Sequence, residues 1–213
     1  MNGLLLEDKR NSGKVINNRY IENITAEELS AYKLSWFKGE ITVIDNLKVF
    51  RRVVGQFPEH GLLGFDTETR PSFRKGRNNK VSLIQLATAD QAFLFRINKI
   101  GIPDELAQLL GNKEIIKTGV AIHDDIRFLR RLKRFNPEGF IDLQTMVKEY
   151  GIQCSGLKKL AAIVLGFRIS KSQQVTDWEA DELSEAQQIY AATDAWVCYE
   201  IYRKLNGKVT RLS

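Results

Sequence analysis

Leu62-Leu63-Gly64-Phe65-Asp66-Thr67-Glu68-Thr69 is the stretch on which the reading of this chain turns. It opens as a compact apolar strand and closes with two acids, Asp66 and Glu68, on either side of Thr67. Side chains alternate faces along a strand, so positions 66 and 68 point the same way, roughly 7 Å apart along the chain. An apolar strand that brings two carboxylates to one place incurs a desolvation and repulsion cost, which a cation removes. A strand end opening into solvent, where acids are harmless, is the alternative, and this pair by itself leaves it open.

Downstream, Val81–Thr88 and Ala92–Ile97 read as two more strands, joined by the short Ala89-Asp90-Gln91 turn as a hairpin. A helix around Asp104–Leu110 leads to a fourth strand, Ile115–Val120; a helix over Asp124–Leu132 leads to a fifth, Phe140–Leu143. Helices at Leu143–Tyr150, Leu157–Leu165 and Glu185–Leu205 complete the pattern, the last opened by a capping box of Ser184 with Gln187. Upstream, the capping box at Thr25 starts a short helix through about Tyr32. Ile41–Ile44 reads as a short strand, and Leu47–Phe57 as a helix stopped by Pro58. A meander followed by strands alternating with helices predicts an α/β domain with a mixed five-stranded sheet flanked by helices. Residues 1–40 are expected to form an N-terminal arm with a short helix, and 41–213 the domain.

Two further acids belong to the pattern. On a helix over 124–132, Asp125 shares a face with Leu129 and Leu132, while Asp124 shares one with Arg127, Phe128 and Arg131. Asp125 is thus the carboxylate turned inward, and Asp124 has a cap or an arginine to satisfy it. Asp194 lies in the apolar stretch Ile189-Tyr190-Ala191-Ala192-Thr193-Asp194-Ala195-Trp196, with Tyr190 one turn earlier on its face. A buried arginine or hydroxyl could satisfy Asp194, so this helix alone does not decide. Four oxygen donors without a matching set of Cys or His favour Mg²⁺ or Mn²⁺ over zinc. Two such ions suit phosphodiester cleavage. Cys154 and Cys198 have no zinc-ligand spacing and read as ordinary reduced thiols.

The formal net charge is +6, which fits a polyanionic partner. No apolar run approaches the ~20 residues that span a bilayer. The charged start does not resemble a secretory signal, so no membrane association and a cytoplasmic location are expected.

From about Leu62 to Leu205 the chain resembles the DEDDy-type 3′→5′ exonucleases of the ribonuclease D-like superfamily, and most of all their Werner-type exonuclease domains. Phe65-Asp66-Thr67-Glu68-Thr69 matches the first motif of that family. Lys117-Thr118-Gly119-Val120 through Asp125, Ile126 and Leu129 matches the second, and Tyr190-Ala191-Ala192-Thr193-Asp194 the third. Leu157-Lys158-Lys159-Leu160, Leu165-Gly166 and Lys171-Ser172 leading to Asp177-Trp178 follow its usual connectors. The resemblance implies a ribonuclease H-like fold and a two-cation nuclease acting on DNA, with RNA second. It also implies that Asp66, Glu68 and Asp194 hold one ion, with Asp66 and Asp125 serving another. Tyr190 would orient the attacking water, since a phenol with a pKa of about 10 is a poor base at neutral pH. A non-catalytic nucleic-acid-binding module of the same fold is the alternative function.

For substrate contacts, Arg70, Arg74, Lys75, Arg77 and Lys80 crowd the segment after the first motif, a candidate phosphate clamp with Phe73 as a stacking candidate. The resemblance brings Lys171 and Ser172 to the site as well. Arg127, Arg130, Arg131, Lys133 and Arg134 read as a solubilising face, Trp178 as a packing anchor and His123 as a local hydrogen-bonding residue.

Overall fold

Strands β1 (Glu40–Ile44), β2 (Leu62–Thr69), β3 (Val81–Ala87), β4 (Gln91–Phe95), β5 (Ile116–Gly119) and β6 (Phe140–Asp142) form one mixed sheet in a computed structural model. Their order is β1-β4-β3-β2-β5-β6. The structure describes residues 20–59, 61–70 and 81–207. The meander β2-β3-β4 is antiparallel, and β1, β5 and β6 add in parallel at the two sides. The expected count of five strands is therefore corrected to six. Ile41–Ile44 is legible as a strand, but its partner β4 is distant in sequence, and only the folded chain pairs Ile41 with Ala92 and Ile44 with Phe95.

The alternation of β2 sorts its residues between two layers. Leu63 and Phe65 enter one core with Phe50, Phe57, Phe93 and Phe95, closed by α2 (Leu47–Val53), α4 (Asp104–Gly111) and α5 (His123–Leu132). Gly64, Asp66 and Glu68 alternate with them and so point to the opposite layer, built on the long helix α8 (Glu185–Asn206). Gly64 permits the closest approach: a Cβ there would lie 1.8 Å from the carbonyl oxygen of Ala195. Helix backbone thus lies directly on strand backbone one residue from Asp66, and the next residue down the helix from that contact is Asp194. β3 is buried at every position, as a strand covered on both faces must be.

Several expected helices end in a changed turn. Leu47–Phe57 is α2 followed by a 3₁₀ turn, Val54–Glu59; Leu143–Tyr150 is α6 (Leu143–Met146) followed by a 3₁₀ turn, Val147–Tyr150. Leu157–Leu165 is α7 (Leu157–Leu160) followed by a π turn, Ala161–Leu165, which Gly166 closes at φ +85°. Such turns rearrange the carbonyls that a helix end leaves unpaired. A short α3 (Ile97–Ile100) takes the place of the expected end of β4. Leu132, expected on the inner face of α5, is 41% exposed; only Leu129 of that pair is buried.

The described part of the expected N-terminal arm packs on the domain. α1 (Ala26–Ala31) carries the Thr25–Glu28 capping box, and Ile24 and Leu29 are buried with Ala162. Leu34 bridges in parallel to Arg168, Ser35 N–H donates to the Arg168 carbonyl at 2.9 Å, and Phe37 N–H donates to Thr193 Oγ1 at 3.0 Å.

Candidate active site

The end of β2 and the middle of α8 meet at a cluster of acids. One carboxylate oxygen each from Asp66, Glu68 and Asp194 lie within 4.8 Å of one another. Asp194 is buried, while Asp66 and Glu68 are half-buried at the wall of a cavity of about 390 Å³. That cavity is also lined by Tyr190, Lys171, Gln144, Lys158 and Cys198.

Asp125 reaches this centre from the other flank. Thr67 faces away from its neighbours Asp66 and Glu68, and its hydroxyl donates to Asp125 Oδ1 at 2.5 Å. Asp125 therefore stands outside the close triplet, yet near enough for its charge to act on Asp66. Asp124 is exposed and pairs with Arg127 at 3.0 Å. The helix-face distinction between the two acids is the arrangement found.

The electrostatics follow from crowding like charges out of water. Burial, then the charges of Asp194 and Asp125, push the Asp66 carboxyl well above its ordinary range. Burial, then the charges of Asp66, Asp194 and Asp125, push Glu68 up to about 10. Burial raises Asp194 to about 7, opposed by a hydrogen bond from the Tyr190 hydroxyl and by the Lys171 ammonium. Burial also raises Asp125, opposed by its bond from Thr67. Tyr190 is driven upward by burial and by the acids it faces. A site with this much unneutralised carboxylate is short of positive charge. The donors are all hard oxygens of the kind that Mg²⁺ and Mn²⁺ take, so the residues fit such ions.

Several contributors carry no signal in sequence. Ala121, at the cavity wall, has φ +59°, a left-handed conformation rare outside glycine, and its N–H donates to Asp142 Oδ1 at 3.2 Å. Gln85, opposite Asp66 across the β2–β3 pair, is fully buried with both amide atoms unpartnered. Thr67 lay inside the first motif, but its bond to Asp125 joins residues that only the fold brings together. Cys198 is a buried free thiol, raised by burial and by Asp66.

The expected substrate contacts divide. Lys171 lines the acid-walled cavity, and Ser172 lines a neighbouring groove. Arg70 is exposed and engaged with Asp177 at 3.8 Å and Glu179 at 3.5 Å. Phe73, Arg74, Lys75, Arg77 and Lys80 lie outside the described residues. Trp178 is fully buried, its ring 6.0 Å from that of Tyr190.

A family profile described as 3′-5′ exonuclease matches residues 41–210. The mouse (Mus musculus) bifunctional 3′-5′ exonuclease/ATP-dependent helicase WRN is 34% identical over 153 residues, covering 68% of this chain and 11% of that protein. Ribonuclease D of Shewanella sp. (strain ANA-3) is 31% identical over 176 residues, covering 77% of this chain and 44% of that protein. This chain thus spans less than half the length of either relative. The fold is shared with the EXO domain of Aedes aegypti Nibbler, at a TM-score of 0.73 and 24% identity, covering 86% of this chain and 94% of that one.

Proposed function

This chain belongs to the 3′-5′ exonuclease family, and from that premise we propose that it removes nucleotides stepwise from the 3′ end of a nucleic acid with two divalent cations, Mg²⁺ or Mn²⁺. The observation that carries the reading is the triplet of Asp66, Glu68 and Asp194, with Tyr190 one turn before Asp194 on α8 at the wall of the same cavity. Asp66, Glu68 and Asp194 would hold one cation, and Asp125, steered by Thr67, would serve the second with Asp66. When bound, the cations supply water activation and stabilise the charge that develops on the phosphodiester.

The chain's own groups do the positioning. Tyr190 stays a neutral phenol, because burial and the facing acids oppose its ionisation. It lies at the wall of the same cavity as Asp194, where the phenol oxygen can accept a hydrogen bond from a water and orient it. Packing against Trp178 fixes the ring. Lys171 places an ammonium in the cavity, where it can pair with a substrate phosphate. In the hydrolysis, water forms a bond to phosphorus and the bond to the 3′ oxygen of the penultimate nucleotide breaks. The released nucleotide keeps the phosphate on its 5′ carbon, and the 3′ oxygen takes up a proton.

DNA is the substrate class we favour, on the resemblance to Werner-type exonuclease domains. The likeness to ribonuclease D supports RNA as the second reading. Matched 5′-labelled DNA and RNA oligonucleotides, incubated with Mg²⁺ or Mn²⁺, test both. A ladder shortening one nucleotide at a time from the 3′ end, absent in Asp66→Asn, is expected, with DNA degraded faster. Internal nicks, or cutting that survives Asp66→Asn, would contradict the mechanism; binding without cutting would favour a non-catalytic module.

A further inference from the structure

Beside the catalytic cavity runs a second groove of about 370 Å³, within the ~300–1,000 Å³ typical of small-ligand sites. The two share Ser170, Tyr190 and Asp194 as a common wall. The segment between them alternates: Lys171 lines the catalytic side and Ser172 the groove. Across from α8 the groove is walled by Leu34, Ser35 and Trp36, residues that precede the region matched by the family profile.

Trp36 is 45% exposed and Leu34 37%, which places apolar surface beside Tyr190. This exposure is not fraying. Ser35 is hydrogen-bonded to Arg168 on one side of Trp36, and Phe37 to Thr193 on the other, with the Phe37 ring buried against Trp196. Lys38 holds its ammonium 5.5 Å from the centroid of the Trp36 ring, so a cation accompanies the aromatic surface. An exposed aromatic whose flanking backbone is fixed on both sides, a cation beside its ring and direct continuity with the acid-lined cavity describe a place for a base of a polyanionic strand.

We propose that this groove seats a nucleobase of the substrate strand, stacked on Trp36, and that the segment Leu34–Lys38 is a substrate-binding element. The inference rests on the nuclease reading of the adjoining site. A fixed platform loses little entropy when the base docks, so the stacking contributes directly to affinity.

Steady-state kinetics of the whole chain on a 5′-labelled oligonucleotide, and on the same oligonucleotide with abasic sites over its 3′ segment, provide the test. Trp36→Ala should raise KM on the intact strand about tenfold, within the range for loss of one base–aromatic stack. On the abasic strand the same substitution should change KM less than about twofold, since no base remains to stack. Trp36→Phe should recover most of the affinity, which separates stacking from damage to the fold. An unchanged KM on the intact strand, or an equal loss on both strands, would overturn the proposal. Fluorescence anisotropy of the labelled oligonucleotide in EDTA keeps this test apart from the nuclease reading. Trp36-dependent binding without cleavage would sink the nuclease reading and sustain the groove; cleavage with Trp36-independent binding would do the reverse.

Discussion

The same sheet buries ionisable groups in two ways. In β5, Lys117 is fully buried, but its ammonium donates to the Asn112 carbonyl at 2.6 Å and the Leu109 carbonyl at 3.4 Å. It also sits 5.0 Å from the centroid of the Phe140 ring. Arg96, after β4, likewise spends its guanidinium on the carbonyls of Ala180 and Asp181, fastening the segment that leads into α8. These cations are matched by acceptors within the protein, although burial still lowers Lys117 to about 8 and leaves the Arg96 Nε without a partner among the described residues. The acids at the end of β2 are not so matched: Asp66 and Glu68 face Asp194, and burial followed by the charges of the neighbouring carboxylates raises the pKa of both. The difference teaches how to tell structural burial from functional burial. A buried charge with internal partners holds the fold, whereas a cluster of like charges without enough counter-charge is kept for something that arrives from outside.

The comparison breaks most visibly when the acid cluster loses a member. Asp66→Asn should lower kcat at least about a thousandfold, the scale reached when preorganised electrostatic stabilisation is removed. Stepwise degradation of a labelled strand measures it. Tyr190→Phe keeps every carboxylate and removes only the hydroxyl proposed to orient water; kcat should fall about a hundredfold, with KM little changed. On the structural side, Lys117→Met should leave kcat per folded molecule within about twofold but strip a donor from two buried carbonyls, costing roughly 1–3 kcal/mol. In thermal unfolding that is a Tm lower by several degrees, at about 2–4 °C per kcal/mol for a chain of this size.

How much of this was legible in sequence depends on how local each signal is. Alternation along Leu62–Thr69 and the helix phase of Asp125 against Asp124 are properties of a few consecutive residues, and the structure brings Asp66, Glu68 and Asp194 together. The sixth strand was visible as a strand and invisible as a neighbour, because its pairing with β4 joins distant segments. The wall formed by Leu34 and Trp36 was hidden for the same reason: it exists only because Arg168 and Thr193 fix that segment onto α8. Gly64 read simply as part of an apolar strand, and its purpose appears once the Ala195 carbonyl lies against it. The bond from Thr67 to Asp125 and the left-handed Ala121 depend on tertiary contacts that no spacing encodes.

A further expected effect is a pH dependence of the metal-free protein. Carboxyls raised in the folded state bind protons more tightly there than in the unfolded chain. Their favourable contribution is complete below the ordinary carboxylate range and is lost as pH rises through about 7 for Asp194 and about 10 for Glu68. The Tm of the wild type in EDTA should therefore fall from pH 6 to pH 9 more steeply than that of Asp66→Asn, and added Mn²⁺ should flatten the wild-type slope.

One measurement bears most directly on the claim that these acids are held for cations: the Tm of wild type and Asp66→Asn at pH 8, in EDTA and in Mn²⁺. Asp66→Asn is expected to be more stable than the wild type in EDTA, because it relieves repulsion, and to lose most of the Mn²⁺-induced rise. A variant less stable than the wild type in EDTA, together with an undiminished rise in Mn²⁺, would contradict it.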